Sequence, residues 1–354
     1  MKKIAVLTSG GDAPGMNACV RAVVRTGIKL GCDMYVVYEG YKGLVEGRIE
    51  QVDRNFVSDI INRGGTILRS ARLPEFKEEA YQKIAIKQLE SYGIDSLIVI
   101  GGDGTYRGAQ ALAARGISVI GIPGSIDNDV CSTEACIGFD TAQNTICECI
   151  DKLRDTTASH QRCTFIEVMG NHCGDLALYS GIAEGVEIVI SQDHPYDEDK
   201  VVEKLQSLKG GKKKHALIIV SEKMFENIFE LAKNVTNRTG IECRAQVLGH
   251  IQRGGSPSAR DRILATRFGA EAVRAILDGQ SCIALGLFGD EIKRIPFDQA
   301  FSMNKESHKD LMSLLSLVNR WYIINTKEKG NMKEMFLLTL CNETMSRKYI
   351  KISR

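Results

Sequence analysis

The feature that most constrains this chain is a unit that occurs several times. A short apolar run ends in a glycine-rich turn, and a helical stretch with few breakers follows. The clearest case is Ser96-Leu97-Ile98-Val99-Ile100, then Gly101-Gly102-Asp103-Gly104-Thr105, then Tyr106 to Arg115. Continuous apolar runs of this length fit strands buried on both faces of a parallel sheet. The opening repeats the logic, with Ile4–Leu7, the turn Thr8-Ser9-Gly10-Gly11-Asp12-Ala13-Pro14-Gly15, and a helix from Met16 to Leu30. Alternating strands and helices predict a doubly wound α/β architecture, in which ligands collect at the carboxyl ends of strands.

Glycine turns between a strand and a helix let a phosphate approach the backbone. They remove blocking side chains, and the helix start offers free N–H groups. Such a turn alone is common, and GGDGT strings also occur in NAD kinases and diacylglycerol kinases. Asp103 sits among the glycines, and Mg²⁺ is the partner such a hard carboxylate oxygen suits beside a nucleotide. A strand at Ile117–Ile122 ends in Pro123-Gly124-Ser125-Ile126-Asp127-Asn128-Asp129. Two close carboxylates repel, so a cation or a shared proton is expected there. Asp127 is the candidate base for a hydroxyl proton in phosphoryl transfer. Arg72, in a loop of small residues, carries a fork that matches phosphate oxygens or, equally, a surface ion pair.

Further strands are expected at Met34–Tyr38, Thr164–Val168, Val186–Ile190, His215–Val220, Arg244–Leu248 and Ile283–Leu287. Helices are expected at Asp140–Arg154, Asp199–Leu208, Lys223–Asn237 and Arg260–Asp278. Arg21 and Arg25, four apart on the first helix, share a face and read as a solvated pair. The 354 residues suffice for two or three domains, and a net charge of +2 gives no reason to expect nucleic acid or a membrane as main partner. The start runs directly into a strand, so no signal peptide is expected. Eleven scattered cysteines, none spaced as CxxC, fit reduced thiols in a cytoplasm. From Asn319 to Arg354 the character changes, with eight basic residues against three acidic ones and an apolar stretch at Met335–Leu340.

Seven motifs in order carry a family resemblance. They are TSGGDAPGMN, SARLPEF, GGDGT, PGSIDND, the Ser159-His160-Gln161-Arg162 stretch, EVMG and LGHIQRGGSP. From Lys3 to about Val318 the chain resembles the bacterial ATP-dependent 6-phosphofructokinases. The resemblance implies two similar three-layer α/β domains with mainly parallel sheets. An ATP-binding domain would span 1–139 and 253–304, and a fructose 6-phosphate domain 140–252 and 305–318. Residues 319–354 would be an extension of unknown role. The implied reaction moves the γ-phosphoryl of ATP to the 1-hydroxyl of fructose 6-phosphate, in glycolysis, with Mg²⁺. Gly11, Arg72, Leu73, Gly102, Asp103, Gly104 and Thr105 match the ATP site, and Asp103 the Mg²⁺-linked carboxylate. Asp127 matches the proton acceptor, with Ser125, Arg72 and Arg162 supporting the transferring group. Ser125, Ile126, Asp127, Arg162, Met169, Gly170, Asn171, Glu222, Arg244, His250, Ile251, Gln252 and Arg253 match sugar-phosphate contacts. In the family Arg162 and Arg244 reach in from a neighbouring subunit, which implies a homotetramer. Arg21, Arg25, Arg54, Arg154, Glu187, Lys213, Lys214 and His215 match an effector pocket for ADP or phosphoenolpyruvate.

The chain departs from the family pattern in places. Asn171 stands where arginine is usual, Ser125 where threonine is commoner, and Gly211 where a basic residue is frequent. Pyrophosphate-dependent relatives usually carry aspartate at position 104 and lysine at 124, so Gly104 and Gly124 favour ATP. A catalytically weakened sensor is the other reading, motivated by Asn171 and the tail. An NAD kinase reading leaves PGSIDND and HIQRGGSP without a place.

Overall fold

A computed structural model describes residues 1–194, 198–208, 213–305 and 308–318. Met1–Ser307 forms one compact unit. Its elements begin with β1 (Lys3–Thr8), α1 (Met16–Lys29), β2 (Asp33–Val37), α2 (Gly40–Val45), β3 (Ile49–Val52), α3 (Glu79–Ser91) and β4 (Ser96–Gly101). They continue through α4 (Asp103–Ala113), β5 (Ser118–Pro123), α5 (Phe139–Ser159), β6 (Cys163–Val168), α6 (Asp175–Glu184), β7 (Ile188–Ile190) and α7 (Glu198–Leu208). Next are β8 (Ala216–Ser221), α8 (Ile228–Thr239), β9 (Cys243–Val247), α9 (Ala259–Leu277), β10 (Ile283–Phe288), β11 (Glu291–Pro296) and α10 (Phe297–Ser302). The second unit, His308–Arg354, contributes α11 (Lys309–Val318).

Two sheets result. The seven-stranded sheet has the order β11-β10-β5-β4-β1-β2-β3, and the four-stranded one β7-β8-β6-β9. Pairing is parallel except at the two edges of the larger sheet, β2 with β3 and β10 with β11. The parity of the strands shows why the larger sheet is a middle layer. Ala5, Leu7, Tyr35, Val37, Leu97, Val99 and Val119 join one buried cluster with Tyr41, Ala85, Leu89, Tyr106, Ala109 and Phe297 from α2, α3, α4 and α10. The alternate residues Ile4, Val6, Met34, Val36, Ile98, Ile100, Ile120 and Ile122 are equally buried. They face the other way, because successive strand residues point to opposite faces. On that side α1 touches Met34 at Gly27, and α9 packs on α1 at Gly269, where any Cβ would lie 2.7 Å from that of Ala22. In the smaller sheet, Cys163, Phe165, Ile166 and Leu217–Val220 are fully buried. The expected mainly parallel three-layer α/β organisation is what the chain builds.

Two helix boundaries differ from expectation in ways that matter for chemistry. α4 begins at Asp103 rather than Tyr106, so Asp103, Gly104 and Thr105 form its first turn. Residues that pattern as a phosphate turn are also a helix start, where an acidic residue complements the positive end of the dipole. α8 begins at Ile228 rather than Lys223. Asn227 caps it, its side chain accepting from the amides of Phe229 and Glu230. Lys223 therefore lies in a turn after β8, in the left-handed region at φ 67°. The short edge strands β3 and β11 have too little apolar periodicity to be read from sequence. The stretch Met335–Leu340, the tail from Asn319, and the Gly211–Lys212 pair lie outside the described residues.

The ten described cysteines all carry free thiols. Among the described residues no helix is long and apolar enough to cross a membrane.

Candidate active site

Strand order places a switch point between β1 and β4. The chain winds from β1 to β2 and β3 on one side, then returns to β4 and β5 on the other. The glycine turns that leave β1 and β4 are bonded to each other there. The Ser9 amide donates to the Ile100 carbonyl at 3.0 Å, and Thr105 Oγ1 donates to the Ser9 carbonyl at 3.2 Å. A Cβ on Gly101 would sit 2.4 Å from both the Ser9 carbonyl and Thr105 Oγ1, so the two turns can meet only because that residue is glycine. Ser70 Oγ donates to the Gly10 carbonyl at 2.5 Å, tying the Arg72 loop to the same place. Arg72 itself is exposed, while Leu73 packs on the core. Gly102 and Gly104 have open space where a side chain would start.

The turn after β5 brings the carboxylates. The Gly124 amide donates to the Gly101 carbonyl at 3.1 Å, so this turn lies alongside the previous one. Ser125 Oγ donates to Asp129 Oδ1 at 2.8 Å. Asp127 is only 7% exposed, and its Oδ1 is buried with no partner. Its Oδ2 lies 3.8 Å from Arg253 Nη2. Burial, then the Asp129 charge, pushes the Asp127 carboxyl up to about 6, against the pull of Arg253 and Lys223. Asp103 is also raised, by burial first and then by Asp129. With Glu222 also raising Asp127, four carboxylates act on one small region, and Arg253 and Lys223 offset their repulsion only in part. Arg253 also donates to the Asp12 carbonyl at 3.2 Å. A Cβ on Gly11 would lie 2.6 Å from Arg253 Nη1, so Gly11 clears the path of that guanidinium.

The ends of β6, β8 and β9 add a second set. Asn171 holds a left-handed φ of 57°. Its amide donates to Glu222 Oε1 at 2.7 Å, and its Nδ2 donates to Asp129 Oδ2 at 3.1 Å. Gln252 is fully buried and accepts from the Met169 amide at 3.1 Å while donating to the Gly249 carbonyl at 2.9 Å. Gly170 is buried at φ 151°, whereas His250 and Ile251 are exposed beside Gln252 and Arg253. Ile126 is fully buried next to Asp127. Gly11, Gly102–Thr105, Ser125–Asp127, Met169–Asn171, Glu222 and Gln252–Arg253 therefore belong to turns that follow strand ends.

Arg162 and Arg244 do not join them within this chain. They sit where β6 and β9 begin, about 20 Å from Met169 by the length of six strand residues. There Arg244 Nη2 lies 2.6 Å from Glu242 Oε1, and Arg162 Nη1 lies 3.7 Å from the same oxygen. The residues matched to an effector pocket form two groups. Arg21, Arg25 and Arg54 repel one another; burial and then those two charges lower Arg21, with Asp59 opposing. Arg21 and Arg25 are both half-buried, and Arg25 Nε is buried without a partner. In the other group Arg154 pairs with Glu184 at 3.0 Å, and Glu187 accepts from Lys213 and from the Leu217 amide. His215 is lowered by burial and by Lys213, with Arg154 adding to it. Lys214 is exposed.

Sequence reasoning missed a supporting layer. Asn128, fully buried at φ 54°, accepts from the Cys136 amide and donates to Asp175 Oδ2 at 2.8 Å. Lys305 donates to the Asn128 carbonyl and lies 3.5 Å from Asp175. It also missed Lys223, whose Nζ donates to Asn171 Oδ1 at 2.5 Å. The one available signal was its place directly after a strand-end glutamate.

The family model described as Phosphofructokinase matches residues 3–276. An ATP-dependent 6-phosphofructokinase of Clostridium botulinum (strain Alaska E43 / Type E3) is 50% identical over 321 residues, which is 90% of this chain and 100% of that relative. One from Vibrio vulnificus (strain YJ016) is 52% identical over 292 residues, 82% of this chain and 91% of that relative. Among solved structures, phosphofructokinase from Saccharomyces cerevisiae is 34% identical with a TM-score of 0.81, covering 89% of this chain and 50% of that one. A pyrophosphate-dependent phosphofructokinase from Marinobacter aquaeolei shares the fold, at 20% identity and a TM-score of 0.77. Matched along most of its length by the family model and by half-identical relatives, and built with strand-end turns that gather its motifs, the chain belongs to the phosphofructokinase family.

Proposed function

We propose that this chain is an ATP-dependent 6-phosphofructokinase, moving the γ-phosphoryl of ATP to the 1-hydroxyl of fructose 6-phosphate in glycolysis. The observation that carries the mechanism is Asp127. Its carboxylate is buried, has an oxygen without a partner, is held near 6, and lies 3.8 Å from a guanidinium. A base with these properties is mostly ionised at neutral pH and close enough to it to accept a hydroxyl proton efficiently. The nucleotide phosphates lie on the turns of Gly11 and Gly102–Thr105, where backbone amides and the start of α4 favour anions. Arg72 and Leu73 flank them. The open space at Gly104 leaves room for a nucleotide, where an aspartate would place a charge against its phosphates.

Asp103 fits Mg²⁺. It is a hard oxygen donor at a helix start, open to an incoming ion, and partial burial together with the nearby Asp129 charge disfavours its anion, which a cation would offset. When bound with ATP, the ion supplies positive charge to the phosphate oxygens. The protein's own part is positioning and charge. Arg253 orients Asp127, Ser125 supports the transferring group, and Met169, Gly170, Asn171, Glu222 and His250–Arg253 hold the sugar phosphate.

Arg162 and Arg244 act on a neighbouring subunit's sugar phosphate in a homotetramer. The same assembly joins the Arg21/Arg25/Arg54 group to the Arg154/Glu187/Lys213–His215 group of a neighbour as an effector site for ADP or phosphoenolpyruvate. The nucleotide belongs to the seven-stranded side (1–139 and 253–304) and the sugar to the four-stranded side (140–252). The free thiols and a glycolytic role favour the cytoplasm.

A coupled assay for fructose 1,6-bisphosphate tests this reading, with ATP or pyrophosphate as donor and with and without ADP. ATP-dependent, Mg²⁺-dependent formation supports it. Turnover with pyrophosphate alone overturns the donor. Turnover with neither, alongside retained ADP binding, makes the chain a sensor.

A further inference from the structure

Lys223 is set apart from the other surface lysines by four observations. It is exposed but held in the left-handed region at φ 67°, a conformation that is strained for a non-glycine residue and persists only where its surroundings enforce it. It follows Glu222 at the end of β8, whose amide is fixed by the Val168 carbonyl at 2.8 Å. Its ammonium is held by the Asn171 side-chain carbonyl at 2.5 Å, and the other end of that amide donates to Asp129 at 3.1 Å. Its charge also reaches Asp127, opposing the burial that raises that carboxyl. An ammonium beside a neutral amide, among Asp127, Asp129 and Glu222 but bonded to none of them, is a cation still free to engage an anionic ligand.

We propose that Lys223 is a catalytic residue: its ammonium engages the oxygens of the transferring phosphoryl group as they pass between nucleotide and sugar hydroxyl. The proposal rests on the phosphofructokinase reading. The bond from phosphorus to the ADP oxygen breaks, the bond to the sugar oxygen forms, the hydroxyl proton goes to Asp127, and Lys223 contributes charge alone. Lysine suits the task because its compact charge rides on a flexible stem. The Asn171 carbonyl is a neutral rest position, which the ammonium leaves without breaking an ion pair.

The test uses the purified full chain and steady-state kinetics with ATP and fructose 6-phosphate. Lys223→Met keeps the length of the stem and removes the charge. Its kcat is expected to fall about 100-fold, as for loss of one preorganised transition-state contact, with both KM values within about threefold of wild type. Lys223→Arg is expected to stay within about tenfold of wild type, and adding Asn171→Arg to Lys223→Met to recover at least about tenfold, because both replace the missing charge. Full kcat in Lys223→Met, equal loss in the Met and Arg variants, or a loss confined to the KM for fructose 6-phosphate each overturns the proposal. Asp127→Ser separates the two readings. If wild type turns over, Asp127→Ser is inactive and Lys223→Met is normal, only the lysine assignment fails. If wild type itself does not phosphorylate fructose 6-phosphate, the function fails and the lysine role with it.

Discussion

The two ends of the sheets use the same residue types in opposite ways. At the carboxyl ends, Asp127 keeps an oxygen without a partner, Asp103 and Asp129 repel, and the nearest guanidinium to Asp127 stands off at 3.8 Å. At the amino ends of the smaller sheet each of these carboxylates is matched by a cation: Glu242 holds both Arg162 and Arg244, Glu184 has Arg154, and Glu187 has Lys213. The difference teaches which surface is ready for a ligand. A buried carboxylate with an unpartnered oxygen, as at Asp127, is destabilising unless a ligand, cation or proton completes it, and such groups concentrate at functional sites. These pairs hold together as they stand, so Arg162 and Arg244 can reach an outside anion only by leaving Glu242.

The largest effect should come from removing the unmatched base. Asp127→Ser is expected to keep fructose 6-phosphate binding within a few-fold while kcat drops by at least about 10²–10⁴, the range for general-base loss. Near-normal turnover would reject Asp127 as base.

The same site should show a trade between activity and stability. Asp127 titrates near 6 in the folded chain against an ordinary 3.8, so folding favours its protonated form. That contribution is full below pH 4 and is lost as pH rises through about 6. Asp127→Asn, which cannot ionise, is therefore expected to be more stable than wild type at pH 8 by up to about 3 kcal/mol at 1.36 kcal/mol per pH unit, and no more stable below pH 4. Urea unfolding at the two pH values measures it. Wild-type kcat/KM should fall on the acid side near pH 6 for the same reason.

A smaller effect sharpens the role of Arg253. Gly11→Ala places a methyl 2.6 Å from its Nη1, and the flexible guanidinium, not the backbone, must give way. The expected result is about a tenfold loss of kcat/KM with a Tm close to wild type, since roughly 1.4 kcal/mol of transition-state contact corresponds to tenfold. A large fall in Tm would show instead that the turn itself is damaged. The smallest effect concerns the matched end. Glu242→Gln frees Arg162 and Arg244, and because exposed ion pairs contribute at most about 1 kcal/mol, Tm should barely move. The KM for fructose 6-phosphate should fall by up to about threefold in the assembled enzyme if those arginines serve the neighbour. An unchanged KM would leave them structural.

Much of the fold was legible because its strands are continuous apolar runs ended by glycine, a pattern that local chemistry enforces. β1, β2, β4, β5, β6, β8, β9 and β10 fall within a residue or two of their expected places. The edge strands β3 and β11 were not legible, because their pairing is set by a neighbour rather than by periodicity. Within the site, Gly11, Asp103, Ser125 and Asp127 could be found from turn composition alone. Lys223 could not, because its position depends on α8 starting five residues later than the apolar pattern suggests.

The sequence by itself determined the parallel α/β class, the strand-end turns and the identity of the carboxylates. These follow from the glycines and from the side chains in direct succession. Only the tertiary structure decided which cations meet those carboxylates, with Arg253 and Lys223 at one end and Arg162 and Arg244 at the other. Charge pairing acts across space, and the crossing of strands from distant parts of the chain sets the distances on which it depends.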